Sequence, residues 1–273
     1  MPEIRITLPD GLTTEHLSTV LAYFENSGRL SSIEWKLALK AFDLLGRAMI
    51  VGQGERQSFR QFYDQAVDRP YADQFLVQIT APEATGVTTN AQQQKLAFEI
   101  IANLERDGWY AEGIENSEYL AAYCLYWWTS FARGYRFELE IFRDLRAAGV
   151  DFTAHDVCSR SERRSPYDLV VQRRLGDIKH TTYFLYTARS LPLTCDFYIT
   201  RLYDSLWKRY RRVVILTESA WYDLDGVVAD ALLTEAADRF PDPVGIIFEG
   251  QRLIVVTFDL WLEKIRQRQQ EEI

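Results

Sequence analysis

The chain is poor in the residues that build ribbons, clusters and cross-links. Its 273 residues hold three cysteines, Cys124, Cys158 and Cys195, widely spaced and without a Cys-x-x-Cys pair. That pattern excludes a zinc ribbon and a disulfide framework, and points to a reducing, cytoplasmic setting. The three histidines, His16, His155 and His180, are equally scattered. His155-Asp156 and His180 are acid or base candidates, but without partners at a telling spacing they read as structural. No Walker lysine motif occurs, so no nucleotide cofactor is expected. Gly52-Gln53-Gly54 lacks the rest of any phosphate-binding fingerprint and reads as a turn. The longest apolar run, Tyr119 to Trp128, is well short of the ~20 residues needed to span a bilayer. The N-terminal MPEIRITLPDG has no basic segment followed by an apolar core, so neither a signal peptide nor a membrane partner is expected. Internal repeats and low-complexity stretches are also missing.

What the chain does have is a packed-core composition, 47% hydrophobic and 26% charged, with 15 Tyr, 15 Phe and 7 Trp. The net charge of −8 argues against a nucleic-acid partner until its distribution is considered. Ser130 to Ile215 carries 16 Lys+Arg against 10 Asp+Glu, while the remainder carries 15 against 29. A basic face on an acidic protein attracts phosphates. The competing reading is that these arginines only solvate strands and helices.

The pattern of apolar residues predicts a strand at Ile4 to Leu8, then helices from Thr13 or Thr14 to about Asn26 and from Ser32 to about Met49. A short strand is expected over Phe75 to Thr80, a loop over Pro82 to Thr89, and a helix from about Asn90 to Asp107. A helix from Ser117 to Arg133 carries Tyr119, Tyr123, Tyr126, Trp127 and Trp128. That stripe either stacks bases or, as is commoner at helical spacing, fills a core. After Gly134 come a helix from Arg136 to Ala148 closed by Gly149, and a strand from Val150 to Val157. Next come a strand from Tyr167, a turn and a long strand through Tyr186. A helix Phe197 to Tyr210, a strand Val213 to Thr217, a helix Val227 to Phe240, two strands at Val244 to Phe248 and Leu253 to Phe258, and a closing helix Leu260 to Gln270 follow. Strands and helices mix without strict alternation, so the expected class is α/β (α+β) with a mixed sheet. A mainly helical region over 1–112 precedes a domain over 113–273.

The chemistry concentrates in SPYDLVVQRRLGDIKH, Ser165 to His180. Of six lysines, two follow an acid at i−2: Glu34-Trp35-Lys36 and Asp177-Ile178-Lys179. In a helix those two positions diverge by about 200°; on a strand they share a face, so only the second pair can line a cleft. Asp168 precedes it across an expected hairpin. A turn at Gln172-Arg173 puts Asp168 opposite Asp177. A turn at Leu175-Gly176-Asp177 suits the glycine better and separates the two acids. Upstream, Phe137, Ile141, Phe142, Leu145 and Ala148 make one helical face with Glu138 in its middle, whereas Glu140 lies opposite, near Asp144. A carboxylate on an apolar face is costly unless paired, with an arginine for instance, or bound to a metal. Arg160, Arg163, Arg164, Arg173 and Arg174 surround the hairpin and either hold nucleic-acid phosphates or form a solvated rim.

Gly134-x-x-Phe137-Glu138, Pro166-x-Asp168 and Asp177-x-Lys179, in the order helix, strand, strand, strand, resemble the PD-(D/E)XK nuclease superfamily. The likeness spans roughly residues 134–217, and Tyr167 separates Pro166 from Asp168 where the usual pattern has them adjacent. It implies a restriction-endonuclease-like core with a central mixed sheet flanked by helices. It implies hydrolysis of DNA phosphodiester bonds with Mg²⁺ (Mn²⁺ also serving) held by Glu138, Asp168 and Asp177, with Lys179 assisting water. It implies an endonuclease acting as a homodimer. The other outcome is a degenerate nuclease fold that binds nucleic acid or protein without catalysis.

Overall fold

The structure is a computed structural model that describes residues 4–52, 54–66, 90–109, 113–156, 159, 161–162, 165–182, 184–185, 193–204, 208–217, 244–248 and 250–271. The strand expected over Phe75 to Thr80 and the helix expected over Val227 to Phe240 lie outside the described residues. The contacts divide the chain into Met1–Arg133 and Gly134–Ile273.

The first unit combines helices with a three-stranded antiparallel sheet of β1 (Arg5–Thr7), β2 (Met49–Gly52) and β3 (Glu55–Ser58). Helix α1 (Thr14–Glu25) starts at a capping box made by Thr13 and His16, and α2 (Ser32–Leu45) at one made by Ser31 and Glu34. The second helix stops at Leu45 rather than Met49, because Met49 opens β2 and pairs with Thr7 and Ser58. The β2–β3 ladder closes on Gly52 paired with Glu55, and Gly54 between them sits at φ 85°. Helices α3 (Phe59–Ala66) and α4 (Asn90–Arg106) follow. The aromatic stripe is core: Tyr119, Tyr123 and Trp128 are buried, and Tyr126 stacks flat on Phe42 at 4.2 Å.

The helices expected either side of Gly134 are one, α5 (Ser117–Ala147). A single glycine costs a helix only about 1 kcal/mol, and the flanking turns bury their apolar faces without a break.

The second unit is built on a seven-stranded mixed sheet in the order β4-β5-β6-β7-β8-β10-β9, where β4 is Phe152–Ala154, β5 Leu169–Val171, β6 Arg174–Ile178, β7 Phe197–Asp204, β8 Arg209–Leu216, β9 Val244–Phe248 and β10 Gln251–Thr257. All neighbours are antiparallel except β6 and β7. The chain is thus α/β in the α+β sense. Phe137, Ile141, Phe142 and Leu145 of α5, with Trp261 and Ile265 of α6 (Phe258–Glu271), cover one face over Leu169, Ile178, Phe197, Ile199 and Val214. Tyr198, Leu202, Val213, Ile215, Val244 and Val255 form a second apolar layer with Leu185. Burial in both layers explains a reversal of element type at Phe197. Where a helix is expected from Phe197 to Tyr210, Phe197–Asp204 form β7 and Arg209 opens β8, and Phe197 to Thr200 are all buried. A strand covered on both faces loses its alternation and cannot be told from a buried helix by period. The strand expected to run through Tyr186 ends at Ile178.

No helix among the described residues is long and apolar enough to cross a membrane.

Candidate metal centre

The β5–β6 turn sets the geometry. Gln172 and Arg173 sit at φ 47° and 63°, both in the left-handed region, as a two-residue turn matching the twist of its strands requires. Gln172 Nε2 donates to Ile265 O at 3.3 Å, tying the turn to α6. The register pairs Val171 with Arg174, Val170 with Leu175 and Leu169 with Gly176. Beyond that last pair the Asp168 N–H donates to Gly176 O at 2.9 Å, a bulge in the ladder, and the Asp168 carboxyl neighbours that of Asp177. Gly176 is therefore mid-strand. It is a glycine because its parallel partner Phe197 lays its ring against the Cα.

The β4–β5 pairing also runs one residue past its last strand pair, Ala154 with Leu169. The His155 N–H donates to Asp168 O at 2.9 Å. His155, Asp168 and Asp177 thus come from the adjoining ends of β4, β5 and β6. From α5, Glu138 closes on this group: His155 Nε2 lies 3.2 Å from Glu138 Oε2, and His155 Nδ1 lies 3.5 Å from Asp168 Oδ1. Asp168 Oδ2 accepts the Ile178 N–H at 2.6 Å, and Lys179 Nζ donates to Asp177 Oδ1 at 2.7 Å. The side chains of Glu138, His155, Asp168 and Asp177 are all nearly buried, while that of Lys179 is 42% exposed.

Burial, together with the Glu138 and Asp177 carboxylates, pushes the Asp168 carboxyl well above the usual carboxylate range. Burial works against the Lys179 ammonium, but Asp177, Asp168 and Glu138 outweigh it and raise its pKa. A concentration of negative charge held by one partly exposed lysine is a cation-binding environment.

Glu138, His155 and Asp168 each offer a donor atom within 4.8 Å of the other two, a group able to hold a metal ion. The donor chemistry fits. Two carboxylates and an imidazole converge, a third carboxylate adjoins, and the buried His155 Nδ1 has no hydrogen-bond partner.

Of the residues singled out in the sequence, Glu138, Asp168, Asp177 and Lys179 come together here. Glu138 pairs with His155 rather than with an arginine. Arg173 and Arg174 do not join them. Arg173 lies in the turn and Arg174 opens β6, three to four residues along the hairpin from Asp177 and so roughly 10–13 Å away, and Arg174 pairs with Asp196 at 3.8 Å. Arg160, Arg163 and Arg164 lie outside the described residues. His180 packs edge-on against Phe137 at 5.8 Å and contacts Arg201 at 3.3 Å, a structural role. His155, an acid or base candidate that its spacing marks as structural, belongs to the site. Its only signal is the registers of two successive strand pairs, which neither spacing nor composition reveals.

Comparison of the chain with protein-family models, curated proteins and solved structures finds no match.

Proposed function

We propose that the chain is a metal-dependent nuclease that hydrolyses phosphodiester bonds of DNA, an endonuclease by preference, on a restriction-endonuclease-like core. The observation that carries this reading is the meeting of the Asp168 and Asp177 carboxyls at the open end of the β5–β6 hairpin, with Glu138 beside Asp168 and Lys179 on Asp177. The order α5, β4, β5, β6 supports it, because this is the order in which the superfamily presents its helix glutamate, its first aspartate and its acid-x-lysine. The basic excess over residues 130–215 supports a polyanionic substrate.

In this reading Glu138, Asp168 and Asp177 hold a divalent cation, Mg²⁺ or Mn²⁺. The bound ion would supply charge neutralisation at the phosphate and a lowered pKa for a coordinated water. Asp177 anchors Lys179, whose exposed end reaches solvent. There it orients a water or faces charge developing on phosphate oxygens. The group of buried side chains keeps the approach geometry fixed before substrate arrives. Cutting both strands calls for two copies of the chain.

A second reading, a degenerate nuclease fold that binds without cutting, is favoured by one feature: His155 already bridges Glu138 and Asp168. Supercoiled-plasmid nicking with Mg²⁺ or Mn²⁺ separates the two. Wild type should nick, and Asp177→Ala and Lys179→Ala should each fall by about 10²-fold or more. Equal rates in all three proteins overturn the nuclease reading. DNA binding without cleavage by wild type selects the second.

A further inference from the structure

We infer that His155 is itself a metal ligand, and that the site therefore selects a transition ion, with Mn²⁺ as its probe, over Mg²⁺. This rests on the cation site proposed above and goes beyond it in assigning a nitrogen donor and an ion class.

The ring is held for the task. Its backbone N–H bonds to Asp168 O at 2.9 Å, and Tyr135 lies alongside it at 6.5 Å and 28°. Nε2 meets Glu138 Oε2 at 3.2 Å, which places the ring proton on Nε2 in the neutral tautomer. This is the arrangement by which metal-bound histidines are oriented, one nitrogen donating to a carboxylate and the other presenting its lone pair. The other nitrogen, Nδ1, is buried, lacks a hydrogen-bond partner and faces Asp168 Oδ1 at 3.5 Å. Two lone-pair donors facing each other repel unless a proton or a metal cation joins them, and a cation can displace the proton that Asp168 otherwise holds. Donors ~2.1 Å from a shared ion stand roughly 3–3.4 Å apart, close to the separation found. The His155 side chain is only 9% exposed, so water does not readily take the ion's place. Mg²⁺ takes oxygen donors and sheds its waters reluctantly, whereas imidazole suits transition ions. A nitrogen in this set therefore weights the site away from Mg²⁺.

The test uses the metal-stripped full chain without nucleic acid, so its outcome is independent of cleavage. Calorimetric titration with MnCl₂ and with MgCl₂ is run on wild type, His155→Gln and Asp168→Asn, and pulsed EPR is recorded on the Mn²⁺-loaded wild type. Mn²⁺ should bind wild type at least about tenfold tighter than Mg²⁺. His155→Gln should weaken Mn²⁺ by about 10–100-fold and Mg²⁺ by less than about threefold. The EPR should show nitrogen modulation. Asp168→Asn should weaken both ions. An unchanged Mn²⁺-to-Mg²⁺ ratio in His155→Gln, or Mn²⁺ without nitrogen coupling in wild type, overturns the inference while leaving a carboxylate cation site standing. Binding of neither ion overturns both. The EPR of wild type decides the question even where the histidine variant fails to fold.

Discussion

Gly176 lies directly beneath the ring of Phe197. A β-carbon at Gly176 would fall inside van der Waals contact of three ring atoms, and that ring is packed in turn against Trp261 at 5.4 Å. The two residues are also parallel partners between β6 and β7. The strand that carries Asp177 is thus seated by a side chain that tolerates nothing larger than hydrogen at position 176.

Gly176→Ala is accordingly expected to destabilise the fold by about 2–3 kcal/mol, the cost of overpacking a rigid core site. Phe197→Leu should relieve part of it. Urea denaturation of the two single variants and the double variant measures the coupling, and strictly additive losses would refute the seating argument.

The Asp168 carboxyl sets the pH response of the metal-free protein. Its folded pKa is raised above the unfolded value by burial, Glu138 and Asp177. A raised pKa means that the folded state binds the proton more tightly. The stability so gained is complete below the unfolded value of about 4 and is lost as pH rises through the folded value. In EDTA, wild type should therefore lose stability from about pH 4 upward. Asp168→Asn should lack that slope, its amide still offering an oxygen to the Ile178 N–H. Melts from pH 4.5 to 8 check this, and a constant gap between the two proteins across the range contradicts it.

Arg201 binds the α5 side of the site. Its guanidinium lies over the Phe137 ring at 4.1 Å, pairs with Glu140 at 3.0 Å and touches His180 at 3.3 Å. Phe137 adjoins Glu138 and His180 adjoins Lys179, so the arginine braces both sides. Arg201→Lys keeps the charge but loses the planar stack and should cost about 1 kcal/mol in chemical denaturation. Full stability in the lysine variant would show that charge alone suffices.

Much of the second unit was legible because its signals are local. Glu138 stands out from the helical period, since an acid among Phe137, Ile141 and Leu145 must find a partner. The acid-x-lysine pair at Asp177 shares a strand face whatever the rest of the fold does. Phe197 to Tyr210 reads as a helix because burial in two layers erases the alternation that marks a strand. Gly134 reads as a break, which the continuous apolar packing of α5 overrides. Gly176 was ambiguous because a glycine for a turn and a glycine for close approach look alike in a sequence.

By itself the sequence singled out Glu138, Asp168, Asp177 and Lys179 and put Glu138 on a helix and Asp177 on a strand, because helical and strand periods are properties of neighbouring residues. Only the tertiary structure decided the hairpin register, through the Gln172–Arg173 turn held to α6 and the Phe197 ring over Gly176. The same register, carried one strand further by the His155–Asp168 backbone hydrogen bond, brought in the histidine. Both depend on residues distant in the chain meeting in space, and no local pattern encodes that meeting.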